Sequence, residues 1–334
     1  MKKEERRFRD IIWGFSKARI AVIGDLVADR YIFGKPFKLS REAPVLVVRH
    51  DRDEILPGGA GNAVNNLLAL GASVYPAGVV GKDEFGRFLL AFFRKKGVDT
   101  SGILAVPGRE TISKTRIMAG DDHTSKQQVI RIDREPVLSL DGRWRRMIVQ
   151  YLREIQDTID ALIVSDYGYG VIDDEVRNEI RRVAGNIAVV VDSRYQLEEY
   201  AGVTAVTPNE SEAELSSGMR IRGDRDVVAV AKKLRKRLKV KAVLITRGNK
   251  GMILIDDKGR VNTIPICGSD QVTDVTGAGD TVTSVFTLSL VAGASFLEAA
   301  RLSNYAGGIV VMKRGAATLT SEELKTAIAK DLGG

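Results

Sequence analysis

Short runs of β-branched and other apolar residues alternate with amphipathic segments through most of the chain. Strands that alternate with helices in this way are typical of a parallel sheet covered by helices. The pattern predicts buried strands at Ile20–Gly24, Ala161–Ser165, Ala188–Val191, Ala205–Val206 and Val243–Thr246. It predicts helices at Ala60–Leu70, Glu84–Lys96, Arg143–Gln156, Asp174–Ala184, Ser211–Ser216, Arg225–Leu238 and Gly277–Val291.

Two stretches break this alternation. Residues 29–57 and 111–134 are rich in β-forming residues, alternate apolar with polar positions and contain no helical pattern. Segments of this kind form small antiparallel sheets. We therefore expect one domain over residues 1–334, an α/β body with a small β-sheet lid made from these two segments.

The composition narrows the class of protein. A single cysteine, Cys267, excludes a disulfide framework and a cysteine-based metal cage. The two histidines, His50 and His123, are too few and too far apart for a zinc-hydrolase pattern. No apolar run approaches the ~20 residues of a membrane helix, and the charged N-terminus does not resemble a secretion signal. We expect a soluble cytoplasmic enzyme with no membrane partner.

The excess of positive charge does not by itself indicate a nucleic-acid partner. The chain has 51 Lys plus Arg against 43 Asp plus Glu, which gives a formal net charge of +8. The densest basic run, residues 232–237, lies on a predicted amphipathic helix with an ordinary solvated face. The charge suits an anionic small substrate at least as well, and we expect no nucleic-acid partner.

The most specific motif is the segment Asp274–Asp280, which runs directly into a predicted apolar helix. Small residues at 277–279 allow several backbone N–H groups to converge at a helix N-terminus, where negative charge is favoured. Asp280 in the first turn can then accept a proton from an attacking hydroxyl while the amides stabilise a transferring phosphoryl group. An ordinary glycine loop with an acidic first turn is the alternative.

A second glycine-rich segment, Leu56–Asn62, precedes the predicted helix at 60–70. Paired glycines let backbone approach a ligand closely, and Asn62 can hydrogen-bond a polyol, although plain helix capping explains the segment equally well. The common nucleotide fingerprints do not apply, because GAGNAV and GAGDTV lack the last glycine of GxGxxG and GxxxxGK[ST] is absent. This disfavours Rossmann dehydrogenases and P-loop enzymes.

A third segment, Thr207–Glu212, follows a short strand and opens a helix. Asn209 and Glu212, three residues apart, lie on one face of the first helical turn. An amide and a carboxylate in this position can organise Mg²⁺ through its waters, because Mg²⁺ keeps most of them. An N-cap Asn with acidic first-turn residues is an equally sufficient reading.

These three motifs, in this order and spacing, resemble the ribokinase-like (PfkB) carbohydrate kinases over almost the whole chain. The resemblance implies a three-layer α/β/α body with a β-sheet lid, ATP as phosphoryl donor and Mg²⁺. It implies that Asp280 is the catalytic base and that Gly277, Ala278, Gly279 and Asp280 form the anion hole. We expect an ordinary low pKa for Asp280. It further implies sugar contacts from Asp25, just after the first strand, and from Asp29, Gly58, Gly59 and Asn62.

The same resemblance implies the nucleotide and cation contacts. It places a monovalent cation, such as K⁺, at Asp274 and Thr276, and Mg²⁺ at Glu212 through water. It assigns the nucleotide to Asn209, Glu210, Ser211, Glu212, Thr246, Gly248, Gly251, Asn304 and Gly308.

Within the family, the segments 26–31, 40–45, 127–133 and 165–168 resemble the kinase module of the heptose-7-phosphate kinase/adenylyltransferases. This implies phosphorylation of O1 of D-glycero-D-manno-heptose 7-phosphate, the step that leads to nucleotide-activated heptose for the lipopolysaccharide core. Tyr169 and the segment Asp192–Arg194 depart from that module, which has Lys and Asp-Pro-Lys there. No HxGH segment occurs in the 334 residues, so we expect adenylyl transfer from another protein.

A phosphorylated acceptor needs cationic contacts. Lys114, Arg116 and Arg131 lie on predicted lid strands. Lys114 and Arg116 are two residues apart, so their side chains point to the same face of the sheet. We assign these three side chains to the substrate phosphate, with solvent-exposed lid charges as the alternative.

Other functions and the state of assembly stay open at this stage. The alternatives are a PfkB-type kinase of a hexose, pentose or nucleoside, and a non-catalytic sugar or nucleotide sensor. Because exposed β edges seek partners, we also expect a homodimer formed through the lid.

Overall fold

The computed structural model describes residues 2–120, 126–137, 139–267, 273–313 and 315–333. His123 lies outside the described residues. The strands are β1 (Arg19–Leu39), β2 (Leu46–Gly59), β3 (Ser73–Gly81), β4 (Ile103–Val106), β5 (Ile112–Ala119), β6 (Gln127–Arg134), β7 (Ala161–Asp166), β8 (Ala188–Ser193), β9 (Ala205–Val206), β10 (Ala242–Thr246), β11 (Met252–Ile255) and β12 (Val261–Ile264). The helices are α1 (Lys3–Gly14), α2 (Ala60–Ala69), α3 (Glu84–Lys95), α4 (Gly142–Ile155), α5 (Asp174–Ala184), α6 (Glu210–Ser217), α7 (Asp224–Leu238), α8 (Ala278–Val291), α9 (Phe296–Val310) and α10 (Ser321–Gly333).

The body is a sheet in the strand order β12-β11-β10-β9-β8-β7-β1-β3-β4. The strands from β10 to β4 are parallel, and β11 and β12 extend that sheet in antiparallel pairs. Their apolar runs are buried because helices cover both faces. One core contains apolar residues of α4, α5 and α7, and the other contains residues of α1, α2, α3, α8, α9 and α10. The predicted three-layer α/β/α arrangement is confirmed.

Strand β1 continues past the body into a second sheet. Residues 19–25 pair with β3 and β7, whereas residues 26–39 pair with β2 and residues 27–34 with β5. Together with β6, which pairs with β5, these strands form a four-stranded sheet in the order β2-β1-β5-β6, here called the lid sheet. The sheet is mixed and not wholly antiparallel as expected, because its two hairpins join through the parallel pair β1–β5. Asp25 therefore lies within a strand and not just after one, because β1 does not end at Gly24.

The face of the lid sheet that carries Lys114 and Arg116 is directed towards the carboxyl ends of the body strands, since both residues line the cavity there. The sheet is at the same time the continuation of a body strand, so its position relative to the body is fixed by covalent and hydrogen-bonded backbone. No helix in the described part of the chain has the length and hydrophobicity to cross a membrane.

Candidate active site

The main cavity, of about 620 Å³, lies between the lid sheet and the carboxyl ends of β7, β8, β9 and β10. In open α/β sheets this edge is where ligands bind, because the loops that follow the parallel strands converge there. Nine of the residues that line it are charged. The acids are Asp29, Asp166, Asp192, Glu212 and Asp280, and the bases are Lys114, Arg116, Arg131 and Arg194.

Asp280 occupies the first turn of α8 and is only 4% exposed. Asn62 Nδ2 donates to Asp280 Oδ2 at 2.9 Å, and the Tyr167 hydroxyl donates to Asp280 Oδ1 at 3.2 Å. Burial raises the pKa of Asp280 to about 7, although both donors favour the charged form. The expectation of an ordinary low pKa was therefore wrong, since the sequence motif does not report how deeply its acid is buried.

The glycine turn before α8 directs the helix N-terminus at the cavity. Gly277 is the N-cap with φ of 76°, a left-handed conformation that glycine adopts without strain. Asn62 Nδ2 also donates to the Gly277 carbonyl oxygen at 3.2 Å, so it connects the turn to α2. Gly277, Gly279 and Asp280 line the main cavity, whereas Ala278 faces an adjoining one and its N–H donates to Val275 O at 3.3 Å.

Asn209 and Glu212 form a complete capping box at the start of α6. Glu212 N donates to Asn209 Oδ1 and Asn209 N donates to Glu212 Oε2, each at 2.9 Å. The capping interpretation and the cavity-facing interpretation both apply, since Asn209, Ser211 and Glu212 line the main cavity. Glu210 is not brought there, because Arg247 Nε donates to its Oε1 at 2.7 Å.

Asp192, at the end of β8, lies beside this capping box. Burial and the negative charges of Glu212 and Asp280 raise the pKa of Asp192, and burial raises the pKa of Glu212. Carboxylate oxygens are the ligands that Mg²⁺ prefers, so the Asp192 and Glu212 side chains have the chemistry to hold this ion. Among the described residues no cluster of three or more His, Cys, Asp or Glu could enclose a metal ion. Mg²⁺ needs no such cage, because waters and phosphate oxygens supply its other ligands.

The lid supplies the cationic wall of the cavity. Lys114 and Arg116 share one face of β5, are each 8% exposed, and line the cavity as the same-parity argument predicts. Arg131 on β6 is the direct cross-strand neighbour of Arg116. Arg116 Nη1 pairs with Asp29 Oδ1 at 2.5 Å, and burial lowers the pKa of Lys114. The sequence-predicted cations therefore converge on one place.

The remaining residues that we expected to contact the sugar lie in or behind the wall of the main cavity. A Cβ on Gly58 would lie 2.1 Å from Asp29 Oδ2, so glycine is required for Asp29 to sit there. Gly59 lines the cavity, but Gly58, Asn62 and Asp25 do not. Asp25 is fully buried, and its Oδ2 accepts hydrogen bonds from the backbone N–H groups of Tyr167 and Tyr169. Its Oδ1 has no hydrogen-bond partner within the described residues.

A second cavity, of about 160 Å³, adjoins the first at Thr246, Val275 and Gly279. Its lining is mainly glycine and apolar side chains, among them Met252 of β11 and Ala278 and Val282 of α8. A Cβ on Gly308 would lie 2.2 Å from the Cys267 carbonyl oxygen, so this wall depends on glycine. The nucleotide-side residues expected here all line it: Thr246, Gly248, Gly251, Asn304 and Gly308.

Asp274 and Thr276 lie between the anion-hole turn and the lid. The Asp274 carboxylate accepts hydrogen bonds from Thr276 N at 2.9 Å and Gly315 N at 3.0 Å, which fixes the loop. Both residues line a third cavity, of about 360 Å³, and Thr276 also lines the main one.

Comparison with known proteins agrees with this geometry. The pattern of the pfkB family carbohydrate kinases matches residues 17–323. The chain belongs to the pfkB family of carbohydrate kinases. It is 43% identical over 306 residues to the bifunctional protein HldE of Geobacter sulfurreducens, which covers 91% of this chain and 61% of that protein. HldE of Trichlorobacter lovleyi is 39% identical over 317 residues, covering 94% and 63%. The chain thus spans about three fifths of the length of these relatives.

Solved pfkB-type structures share the fold. A structure of Arabidopsis thaliana ribokinase complexed with ribose and ATP has a TM-score of 0.73 at 20% identity, covering 93% of this chain and 98% of that one. Phosphofructokinase-2 of Escherichia coli in complex with potassium has a TM-score of 0.78 at 19% identity, covering 94% and 99%. The predicted resemblance to this family is confirmed, and bifunctional relatives accord with the predicted resemblance to one module of a bifunctional enzyme.

Sequence reasoning did not assign a role to several residues that line the main cavity, among them Tyr167 and Asp192. Tyr167 follows the buried strand β7, and Asp192 lies at the end of β8. A usable signal was present, since polar residues at the carboxyl ends of adjacent parallel strands meet at one edge of the sheet.

Proposed function

We propose that this pfkB-family chain is an ATP- and Mg²⁺-dependent kinase of a phosphorylated sugar. The acceptor that we propose is D-glycero-D-manno-heptose 7-phosphate, phosphorylated at O1 to the 1,7-bisphosphate for nucleotide-heptose synthesis. One observation carries the proposal. The buried carboxylate of Asp280 lies where a cation-lined cavity under the lid meets a glycine-lined cavity in the body.

The reaction transfers the γ-phosphoryl group from ATP to a sugar hydroxyl. Asp280 takes the hydroxyl proton as the oxygen–phosphorus bond forms and the bond to ADP breaks. Donors at the glycine turn and the N-terminus of α8 stabilise the charge on the transferring group. With a pKa of about 7, Asp280 is a better match for a proton acceptor at neutral pH than an ordinary carboxylate.

Each wall of the site has a separate task in this proposal. Lys114, Arg116 and Arg131 bind the acceptor's phosphate, and Asp29 binds its hydroxyls. Asp25, which is fully buried and does not line the cavity, supports the site indirectly by accepting hydrogen bonds from the backbone N–H groups of Tyr167 and Tyr169. Asp192 and Glu212 would hold Mg²⁺ through water. The ion, when bound, neutralises phosphate charge.

Two finer features belong to the same proposal. We place a monovalent cation such as K⁺ beside Asp274 and Thr276, where carboxylate and backbone groups crowd the anion-hole turn. Turnover should then be lower in choline chloride than in potassium chloride at equal ionic strength. The need for ATP favours action in the cytoplasm.

We also propose a homodimer formed through the outer face of the lid sheet. Cross-strand register places Ile32, Ile117, Ile130 and Ile132 on the face opposite Arg116. Ile130 and Ile132 are 50% and 55% exposed on this face, and a contiguous exposed apolar patch is typical of a protein interface. Light scattering should give a dimer mass that Ile132→Lys abolishes and Val137→Lys, a change at an exposed residue outside the lid sheet, preserves. A monomeric wild type would contradict this part.

An acceptor screen that follows ADP release tests the main proposal. It should compare D-glycero-D-manno-heptose 7-phosphate with the unphosphorylated heptose, fructose 6-phosphate, ribose and a nucleoside, each with ATP and Mg²⁺. The heptose 7-phosphate should give the highest kcat/KM. Preference for an unphosphorylated sugar or a nucleoside would contradict the assignment of the cationic wall, and no turnover with any acceptor would contradict a kinase.

A further inference from the structure

Tyr167 connects the two halves of the main cavity. Its hydroxyl donates to Asp280 Oδ1 at 3.2 Å, while the Lys114 ammonium lies 5.2 Å from the centre of its ring. One side chain therefore touches both the proposed base and the cation that we assign to the acceptor. The hydrogen bond to Asp280 needs the hydroxyl group, whereas the contact with Lys114 needs only the ring. The two contacts can therefore be separated by substitution.

The backbone of the Tyr167 loop is held from inside the protein. Asp25 Oδ2 accepts from Tyr167 N at 2.9 Å and from Tyr169 N at 3.2 Å. Asp166 Oδ1 accepts from Gly168 N at 3.0 Å, and Arg109 donates to the Tyr169 carbonyl oxygen at 2.8 Å. A loop fixed by several hydrogen bonds can orient a side chain to within a few tenths of an ångström.

We propose that Tyr167 is a positioning residue that holds the Asp280 carboxylate in the orientation needed to receive the acceptor's proton. The inference rests on the proposed kinase function. A carboxylate has about four lone-pair directions. Asn62 occupies one on Oδ2 and Tyr167 one on Oδ1, so the carboxylate cannot rotate without losing a hydrogen bond. The remaining directions are left for the sugar hydroxyl.

The protonation of the phenol supports this role. Burial and the negative charges of Asp280, Asp192 and Asp29 raise the pKa of Tyr167 well above its ordinary value. The phenol therefore stays protonated and acts only as a donor to Asp280. The charged groups that face Asp280 are Asp29 and Asp192, which repel its negative charge, and Lys114, which stabilises it. Tyr167 and Asn62 donate side-chain hydrogen bonds to its carboxylate.

Tyr167→Phe tests the inference, because it removes the donor and keeps the ring over which Lys114 lies. Loss of a hydrogen bond to a charged group should lower kcat by about 10-fold, with both KM values within about 2-fold of wild type. The lost donor favoured ionised Asp280, so the acid limb of the kcat/KM profile should move to higher pH and the defect should shrink in alkaline buffer. Tyr75→Phe, on β3 and outside the three cavities, is the matched control and should match wild type.

Three results would overturn the inference: unchanged kcat in Tyr167→Phe, a reduced kcat with an unshifted pH profile, or a change confined to the acceptor's KM. The last would assign the phenol to substrate binding. Thermal unfolding of each variant checks that the fold is retained. Failure of the underlying function is separately visible, because wild type itself would then show no turnover, and the inference would fall with it.

Discussion

We assign the acceptor to the main cavity, here called the acceptor cavity, and the nucleotide to the second cavity, here called the nucleotide cavity. The two adjoin at Thr246, Val275 and Gly279 but are built by different means. The acceptor cavity uses long charged side chains, several of them on the strands of the lid sheet. The nucleotide cavity uses backbone and glycine, so that a Cβ at Gly308 or Gly251 would lie about 2.2 or 2.1 Å from a carbonyl oxygen. The charged side chains can be exchanged without moving the backbone, whereas a side chain added to a glycine wall would displace backbone atoms. Under the proposed function, we therefore expect acceptor choice to depend on the lid and donor binding to depend on the body.

The two cavities also differ in electrostatics. Five acids and four bases surround the acceptor cavity, and several of their pKa values are displaced by burial and by one another. No Asp, Glu, Lys or Arg is among the described residues that line the nucleotide cavity. Substitutions in the first should therefore affect pH dependence and acceptor selection, and substitutions in the second should affect ATP affinity alone.

The largest effect is expected at the junction of the two cavities. Asp280→Asn keeps the shape of the side chain but cannot accept the proton, so kcat should fall by about 10³-fold, within the range for loss of a general base. Affinity for each substrate, measured by calorimetry, should stay within about 3-fold of wild type, because the residue acts in the transition state. Turnover equal to wild type would remove Asp280 from the mechanism.

The next largest effect should be confined to binding in the acceptor cavity. Lys114→Ala removes a buried cation assigned to the acceptor's phosphate, and loss of a charge-assisted contact should raise the acceptor KM by about 10- to 100-fold. The KM for ATP should not change. Arg49→Ala is the matched control, because Arg49 is a cation of the lid hairpin that lines none of the three cavities. An equal rise in the ATP KM would contradict the division of labour.

The pH dependence should show a base with a raised pKa. Burial raises the pKa of Asp280 to about 7, and only the ionised form can accept the proton. The value of kcat/KM for the acceptor should therefore rise with pH up to about 7 and change about 10-fold per unit well below it. Asp25, with a pKa also raised to about 7, titrates in the same window. A profile already flat above about pH 5 would indicate an ordinary carboxylate.

The smallest effect is expected in the nucleotide cavity. Gly308→Ala places a methyl group against the Cys267 carbonyl oxygen, which must move, so the KM for ATP should rise by about 5-fold while the acceptor KM stays constant. Gly223→Ala is the control, because a Cβ there meets no atom within 4 Å. An acceptor KM that rises as much as the ATP KM would show that the two cavities are coupled.

Hydrophobic pattern predicted most of the body. The helix at Asp174–Ala184 has the predicted bounds, and the one predicted at Glu84–Lys96 ends one residue earlier. Strand β3 was not predicted, because Pro76 and two glycines interrupt its apolar run. The length of β1 was also missed. Pairing with β2 and β5 extends it far beyond residue 24, and such pairing depends on contacts distant in sequence.

The candidate site was predictable at the level of residue types. The motifs located the anion-hole turn, the lid cations and the nucleotide-side glycines, all of which line the cavities in the structure. Their roles stay predictions. The raised pKa of Asp280 was not predictable, because it results from burial by segments that are distant in sequence. The two side-chain donors, which oppose that rise, lie 218 and 113 residues away. The position of the Glu210 side chain outside the main cavity was not predictable either, because the Arg247 side chain that pairs with it is 37 residues away in sequence.

Phosphorus NMR of one reaction tests the central claim most directly. ATP, Mg²⁺ and D-glycero-D-manno-heptose 7-phosphate are incubated with wild-type protein and, in parallel, with Asp280→Asn. Wild type should convert ATP to ADP while an anomeric phosphate resonance, coupled to the proton on C1, grows beside the unchanged 7-phosphate. The variant should leave both substrates intact. A wild-type spectrum with inorganic phosphate in place of a sugar bisphosphate, or equal conversion by the variant, would contradict the account.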